Sequence, residues 1–385
     1  MSEAVSTKSV QVSFKDLLFH EPLLEAVSRL GLVTPTPVQE QTIPRALAGK
    51  DLIVQAKTGS GKTFAFALPL LSHLESLGDD AKNDTYGLII SPTRELAYQT
   101  SEVITKLATQ YKPACLIGGE SIKQQIYSLR EDARIVVGTP GRILDLMEHK
   151  NVDLRNCRYF VLDEADEMLS MGFLEDIRKI LSRLPKERQG LFVSATISPY
   201  VESLANSFLK NAERITISTP TEELPLIEHF YVDVGMGVSA KTGALCHALE
   251  KFNPRSAIVF CNTKSDTELV EVILKRRGFQ AEKINSDLAQ KQRNKIIDQI
   301  RAGDLKILVG TDIAARGLDI DHVDLVVNYT VHEQAELYVH RTGRTGRAGR
   351  SGTAISLVGP QDFAAFFNLK KSIPNIELKK LEIPS

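Results

Sequence analysis

Two α/β domains, each a mostly parallel sheet flanked by helices and joined by a short linker, are what the amino-acid sequence predicts. Three observations lead there. Short Val- and Ile-rich runs are apolar throughout rather than at alternate positions, which marks strands buried on both faces. Longer amphipathic stretches separate these runs, as crossover helices require. A stretch with two prolines and no helical periodicity divides the series in two.

The first series of strands is predicted at 51–55 (DLIVQ), 86–91 (YGLIIS), 134–139 (RIVVGT), 159–164 (YFVLDE) and 191–196 (LFVSAT). The second is predicted at 256–261 (SAIVFC), 306–311 (KILVGT), 323–329 (VDLVVNY) and 353–358 (TAISLV). Between strands, PLLEAVSRL ends at Gly31 and SDTELVEVILKRRG ends in Gly278, each glycine suited to stop a helix. The dividing stretch is TISTPTEELPLIEHF, 216–230. The expected organisation is a tail at 1–13, a first domain at 14–215, a linker at 216–226 and a second domain at 227–385.

Composition bounds the function without naming it. A chain of 385 residues with 43% hydrophobic and 25% charged residues is long enough for two ordinary cores and is not disordered in bulk. No apolar run approaches the length of a membrane span, and the N-terminus lacks the layout of a secretory signal. Residues 222–385 carry 22 Lys and Arg against 21 Asp and Glu, leaving 25 against 27 for the rest of the chain. Neither half is a basic nucleic-acid module, so any nucleic-acid contact must come from local loops. Cys115, Cys157, Cys246 and Cys261 form no CxxC pair and read as buried free thiols, which suits a cytoplasmic protein.

Two motifs carry phosphate chemistry. The run from Ala56 through Lys57, Thr58, Gly59, Ser60, Gly61, Lys62 and Thr63 lies between a predicted strand and a predicted helix. That is the setting of a phosphate-binding loop: backbone N–H groups left uncovered by glycine face the phosphates at the positive end of a helix. Lys62 is expected to reach the β- and γ-phosphates of ATP and Thr63 to ligate Mg²⁺. Ala56 stands where the generic pattern has glycine. Downstream, the strand VLD ends in clustered carboxylates. Asp163 is placed to hold Mg²⁺, partly through water, and Glu164 to orient or deprotonate the attacking water.

The tetrad Asp163-Glu164-Ala165-Asp166 and its companions resemble the DEAD-box RNA helicases, and the likeness covers the chain from Phe14 onward. It implies two RecA-like domains in tandem and an ATP-dependent RNA helicase. Within GLVTPTPVQ (31–39), the resemblance assigns Gln39 to the adenine edge, with Phe14 stacked nearby. Pro92-Thr93-Arg94, Gly118-Gly119 and Thr139-Pro140-Gly141-Arg142 resemble the strips that hold the RNA backbone. Ser194-Ala195-Thr196 resembles the motif linking hydrolysis to strand separation, and Asp166 would couple to Ser194, Thr196 and His340. In the second half, Asn262-Thr263, Gln290 with Arg293, and Thr311 look like further RNA-facing elements. Gly317 and Asp319 would complete the nucleotide site. His340-Arg341-Thr342-Gly343-Arg344-Thr345-Gly346-Arg347 matches the arginine-finger motif, with Arg344 and Arg347 as the catalytic cations.

These residue types suit the chemistry. Charge developing on a γ-phosphoryl group needs cations, and Arg344 and Arg347 lie in the opposite domain from the phosphate loop. Hydrolysis is therefore expected to depend on domain closure, which RNA favours. Hydroxyls, turn amides and single arginines grip phosphate and ribose without reading bases, so sequence-independent binding of single strands or short duplexes is expected. No aromatic stacking ladder is visible in the sequence. Three positions depart from the family pattern: Asn285-Ser286-Asp287, Val331-His332 and Ser170. A monomeric core with protein cofactors that regulate closure is expected, and no membrane partner. The alternative is an ATP-gated RNA clamp with low turnover that anchors other proteins.

Overall fold

Alternate residues of each predicted strand point into different cores, and this is why the runs are apolar throughout. In the computed structural model, Leu52, Val54, Ile89, Tyr159, Val161, Leu191 and Val193 face one core of the first unit. Their neighbours Ile53, Leu88, Ile90, Phe160, Leu162 and Phe192 face another on the far side of the sheet. Burial on both faces demands helices on both faces.

The described residues are 12–18, 20–57, 59–78, 84–131, 133–217, 227–285, 287–288, 290–312, 323–332, 334–346, 351–373 and 376–382. The chain divides into two compact units, Met1–Thr219 and Pro220–Ser385.

The first unit runs α1 (Phe14–Leu17), α2 (Glu21–Arg29), α3 (Pro37–Leu47), β1 (Leu52–Gln55), α4 (Lys62–Leu77), β2 (Gly87–Ile90), α5 (Arg94–Leu107) and β3 (Ala114–Leu116). It continues with α6 (Ile122–Arg130), β4 (Ile135–Gly138), α7 (Pro140–Glu148), β5 (Tyr159–Asp163), α8 (Ala165–Ser170), α9 (Leu174–Ser182), β6 (Gln189–Ser194), α10 (Pro199–Phe208) and β7 (Glu213–Thr216). The seven strands form one parallel sheet in the order β3-β4-β2-β5-β6-β1-β7.

The second unit repeats the architecture. It runs β8 (Ile227–Asp233), α11 (Val238–Phe252), β9 (Ala257–Cys261), α12 (Lys264–Arg276), β10 (Ala281–Ile284), α13 (Gln290–Ala302) and β11 (Ile307–Thr311). Then come β12 (Leu325–Asn328), α14 (Ala335–Thr342), β13 (Gly352–Val358), α15 (Phe363–Ser372) and β14 (Leu378–Lys380). Its strands are again parallel, in the order β10-β11-β9-β12-β13-β8-β14.

All nine predicted strands are present. β3, β7, β8, β10 and β14 were not anticipated. Each is short, lies towards a sheet edge, or alternates apolar with charged residues, as in ERIT and IEHFYVD. Of the stretch 216–230, Thr216 closes β7 and residues 227–230 open β8. The glycine stops are as read: Gly31 and Gly278 adopt φ of 72° and 84° just beyond α2 and α12. All four cysteines are free, three of them buried and Cys115 half-buried. Burial pushes the Cys115 and Cys157 thiols up to about 12, so neither is a ready nucleophile. No helix among the described residues is long and apolar enough to cross a membrane.

Candidate active site

The C-terminal ends of a parallel sheet's strands open into loops that bind ligands. The first unit fills this edge in two blocks. Adjacent strands β5, β6 and β1 end in the acidic tetrad, Ser194 and the phosphate loop. Adjacent strands β3, β4 and β2 end in Gly118-Gly119, Thr139-Pro140-Gly141-Arg142 and Pro92-Thr93-Arg94.

The phosphate loop is shaped by Gly61, whose φ of 91° only glycine adopts easily at the head of α4. Gln39 also closes on it. Its Nε2 donates to the Gly61 carbonyl at 3.1 Å, and its Oε1 accepts from Thr36 N at 2.9 Å. A Cβ on Gly61 would collide with that Gln39 amide. The predicted adenine reader thus doubles as a prop for the phosphate loop. The Ser60 hydroxyl is buried without a protein partner, as befits a loop that wraps an oxygen-rich ligand. Phe14 is 4% exposed and sits in the core among α1, α2 and α3, so its ring presents no open stacking face.

Lys62 is buried and donates from Nζ to Glu164 Oε1 at 2.9 Å and to Ala56 O at 3.0 Å. Glu164 stands at the head of α8 in the left-handed region, φ 52°, a conformation a glutamate adopts only when its surroundings impose it. Beside it, burial raises the Asp163 carboxyl from the ordinary range to about 7; the Glu164 carboxylate adds to the shift and Lys62 opposes it. Two carboxylates and one lysine are therefore crowded at the ends of β5 and β1, in a spot short of positive charge.

Asp166 is tied to β6. Its Oδ2 accepts from Thr196 N at 2.9 Å and Thr196 Oγ1 at 2.7 Å, while Ser194 Oγ accepts from Asp166 N at 3.2 Å. Ser194 O in turn accepts from Ala56 N at 3.0 Å. The tetrad, the Ser-Ala-Thr motif and the phosphate loop form one continuous hydrogen-bonded unit.

On the other block, Arg94 lies against the Gly118-Gly119 turn, so close that a Cβ on Gly119 would overlap its guanidinium. Thr93 is buried and caps α5, its Oγ1 accepting from Leu96 N at 3.3 Å. Arg142 is held by Gln125 Oε1 at 3.1 Å, beside Gly141, which is exposed.

In the second unit, Asn262 and Thr263 follow β9 and Thr311 ends β11. Thr263 Oγ1 caps α12 by accepting from Asp266 N at 3.1 Å. Arg293 departs from an exposed phosphate ligand: it is 5% exposed and its Nη1 donates to Asn285 O at 3.3 Å. Arg344 is half-buried, and His340 lies on α14. Thr58, Gly317, Asp319, Arg347 and the side chain of Gln290 lie outside the described residues.

The residue that motif reading passed over is Arg341. Among the largest side chains of the chain to be fully buried, its guanidinium donates to both carboxylate oxygens of Asp312 at 2.6 Å each. It also reaches Asn262 Oδ1 at 2.9 Å, Thr330 O at 2.7 Å and Asn328 Oδ1 at 3.3 Å. It lies over the Phe260 ring, 5.3 Å from the centroid. The sequence shows Arg341 only as one arginine of the motif 340–347, and nothing there distinguishes a buried hub from a surface cation.

Family comparison agrees with this geometry. Residues 36–204 match the DEAD/DEAH box helicase model, and residues 240–349 match the helicase conserved C-terminal domain. The DEAD-box ATP-dependent RNA helicase CshA of Bacillus cereus is 40% identical over 375 residues, 97% of this chain and 70% of that protein. The chain belongs to the DEAD-box ATP-dependent RNA helicases. A Listeria monocytogenes ATP-dependent RNA helicase CshA is 41% identical over 374 residues, covering 97% of this chain and 71% of its own length. Among solved structures, S. cerevisiae Dbp5 bound to RNA and ADP BeF3 superposes with a TM-score of 0.82 at 31% identity, covering 96% of this chain and 95% of that one. Mss116p bound to ssRNA and AMP-PNP gives 0.83 at 28% identity, covering 98% and 81%. As a member of the family, this helicase uses ATP.

Proposed function

We propose that this helicase hydrolyses ATP with Lys62, Asp163 and Glu164 as its phosphate, metal and water ligands, and that bound RNA controls the rate. The observation that carries the reading is the Lys62–Glu164 bond beside a buried Asp163. Lys62 neutralises the carboxylate proposed to orient water. An arriving triphosphate competes for Lys62 Nζ and frees Glu164 to act as base.

The residues fit Mg²⁺. Burial beside a second carboxylate holds Asp163 partly protonated, and a dication would stabilise its ionised form. No cluster of three His, Cys, Asp or Glu groups offers a ready-made cage among the described residues. Thr63, Asp163 and the nucleotide's own phosphates would therefore share the ion, as is usual for Mg²⁺. When bound it would neutralise charge on the β- and γ-oxygens. Arg344 and Arg347 belong to the other unit, so in this reading their guanidiniums reach the γ-phosphoryl group only in the RNA- and ATP-bound state.

The strips at the ends of β3, β4 and β2, with Asn262, Thr263 and Thr311, are read as backbone ligands for RNA. Dbp5 and Mss116p, both bound to RNA in the solved structures, support this for the present chain. Dbp5 is also described with Gle1 and Nup159, and protein cofactors that act on closure are proposed here by analogy. The deciding experiment is multiple-turnover strand release from a short RNA duplex, alongside ATPase stimulation by RNA and by DNA. Strand release driven by RNA-selective hydrolysis is expected. Stimulation without release would make the protein a clamp, and equal stimulation by DNA would defeat the RNA assignment.

A further inference from the structure

The run FAAFFNLKKS, 363–372, places Phe363, Phe366 and Phe367 within about one helical turn. The structure sorts these rings differently. On α15, Leu369 is buried and Phe366 packs on Tyr231 with ring centroids 5.0 Å apart. Phe363 and Phe367, one turn apart and turned away from that side, are 52% and 60% exposed. Two aromatic rings left in water at i and i+4 are costly to a monomer unless they serve a partner.

The surroundings define that partner. The helix contains two lysines and no carboxylate. Lys371 Nζ lies 4.4 Å from the centroid of the Phe367 ring, and neither Lys370 nor Lys371 forms an ion pair among the described residues. By contrast Lys379 and Lys380, on the neighbouring β14, are neutralised by Glu228 and Asp233. The face therefore combines flat π surfaces with unspent positive charge.

Its place is fixed from the RNA-facing edge. Asn262 N donates to Thr330 Oγ1 at 2.8 Å, and the next residue, Val331, donates from N to Asp362 Oδ1 at 3.4 Å. Asp362 is the residue that opens α15 and is locked by a buried ion pair to Lys241. One short hydrogen-bonded path thus joins Asn262 to the head of the aromatic helix.

We propose that Phe363, Phe367, Lys370 and Lys371 form an auxiliary platform for single-stranded RNA that continues beyond the core strip, the rings stacking on bases and the lysines meeting phosphates. Stacking of this kind tolerates any base, so it extends the footprint without adding sequence preference. The proposal rests on the core reading of Asn262 as an RNA ligand.

The test uses the full chain with a non-hydrolysable ATP analogue and oligouridines of rising length. For the wild type, affinity keeps rising past the length that saturates ATPase stimulation. Phe363→Leu with Phe367→Leu keeps the face apolar but removes the π surfaces, and should lower affinity for the longest RNA by about 5- to 30-fold. Affinity for the shortest RNA and the maximal ATPase rate should not change. Lys370→Gln with Lys371→Gln should flatten the same length dependence and reduce its salt sensitivity. An unchanged ratio of long- to short-RNA affinity in the leucine variant overturns the platform and marks the face as a protein-docking surface instead. Failure of the wild type to bind even the shortest RNA would count against the core reading, and the platform would fall with it.

Discussion

Lys62 and Glu164 form a buried ion pair, Nζ to Oε1 at 2.9 Å, that binds the phosphate loop to the acidic tetrad. The two groups proposed to carry the phosphate contact and the water step thus hold each other. Their side chains are 6% and 11% exposed, so neither could be left alone there cheaply. Glu164→Gln should keep the packing, because an amide oxygen still accepts from Lys62. ATP affinity should be equal or somewhat tighter, since the competing charge is gone. Turnover should fall by about 10²- to 10⁴-fold, the usual worth of a general base. Equilibrium binding of ATP beside single-turnover hydrolysis reads both effects, and wild-type turnover in this variant would refute the role of Glu164.

Lys62→Ala has a different signature. It removes the phosphate contact and also strands Glu164 next to Asp163, which burial has already raised to about 7. ATPase should vanish and ATP binding should weaken. Hydrogen exchange should rise at the head of α8 even without nucleotide. Loss of activity with no change in exchange at 163–168 would show that Lys62 serves only the phosphates.

The turn opposite Arg94 is equally specific. Gly119 has φ 80° and no room for a Cβ beside the Arg94 guanidinium. Gly119→Ala should displace Arg94 and weaken RNA binding by about 5- to 30-fold, which corresponds to about 1–2 kcal/mol. ATP affinity in the absence of RNA should be untouched, because β3 and β1 lie at different ends of the sheet. Titration of each ligand separately gives the answer. Equal loss of both would mean that the substitution unfolds the unit.

Arg341 offers a sharper case. Lysine would preserve the charge, but one ammonium cannot serve Asp312, Asn262, Thr330 and Asn328 together. Arg341→Lys should therefore cost about 1–3 kcal/mol in the second unit, the scale for leaving buried acceptors unpaired. RNA stimulation of ATPase should be lost while ATP still binds the first unit. Normal stimulation in this variant would mean that the hub does not position its RNA-facing neighbours.

Arg341 also shows where reading from sequence alone stops. Strand runs such as YFVLD and AIVFC announce themselves because burial on both faces leaves no polar position. Lys62 and Asp163 announce themselves because phosphate and metal chemistry fixes residue type against chain position. Edge strands such as β7 and β14 carry charge for solvent's sake and lose that signal. Arg341 is buried by contacts from residues far along the chain, and the exposure of Phe363 and Phe367 likewise depends on packing outside their own helix. Local pattern reports periodicity, but which face is covered depends on packing that the pattern does not contain.

His229 gives a pH signature confined to the second unit. It lies on β8, its Nδ1 2.9 Å from the Tyr338 hydroxyl on α14, and burial lowers its pKa to about 4. The folded state therefore holds this histidine neutral, whereas the unfolded chain binds a proton below about 6.5. Between pH 6.5 and 4 the unfolded state carries more protons, so stability falls as pH falls and levels off below the folded pKa. His229 is partly solvated, and the discounted effect is about 1–2 kcal/mol. His229→Gln cannot titrate but can still bond Tyr338. Hydrogen exchange at β8 and α14, followed from pH 7 to pH 4.5, should accelerate in the wild type and stay flat in the variant once intrinsic rates are removed. Parallel acceleration in both proteins would assign the acid sensitivity to another group, since His229 is then absent from one of them.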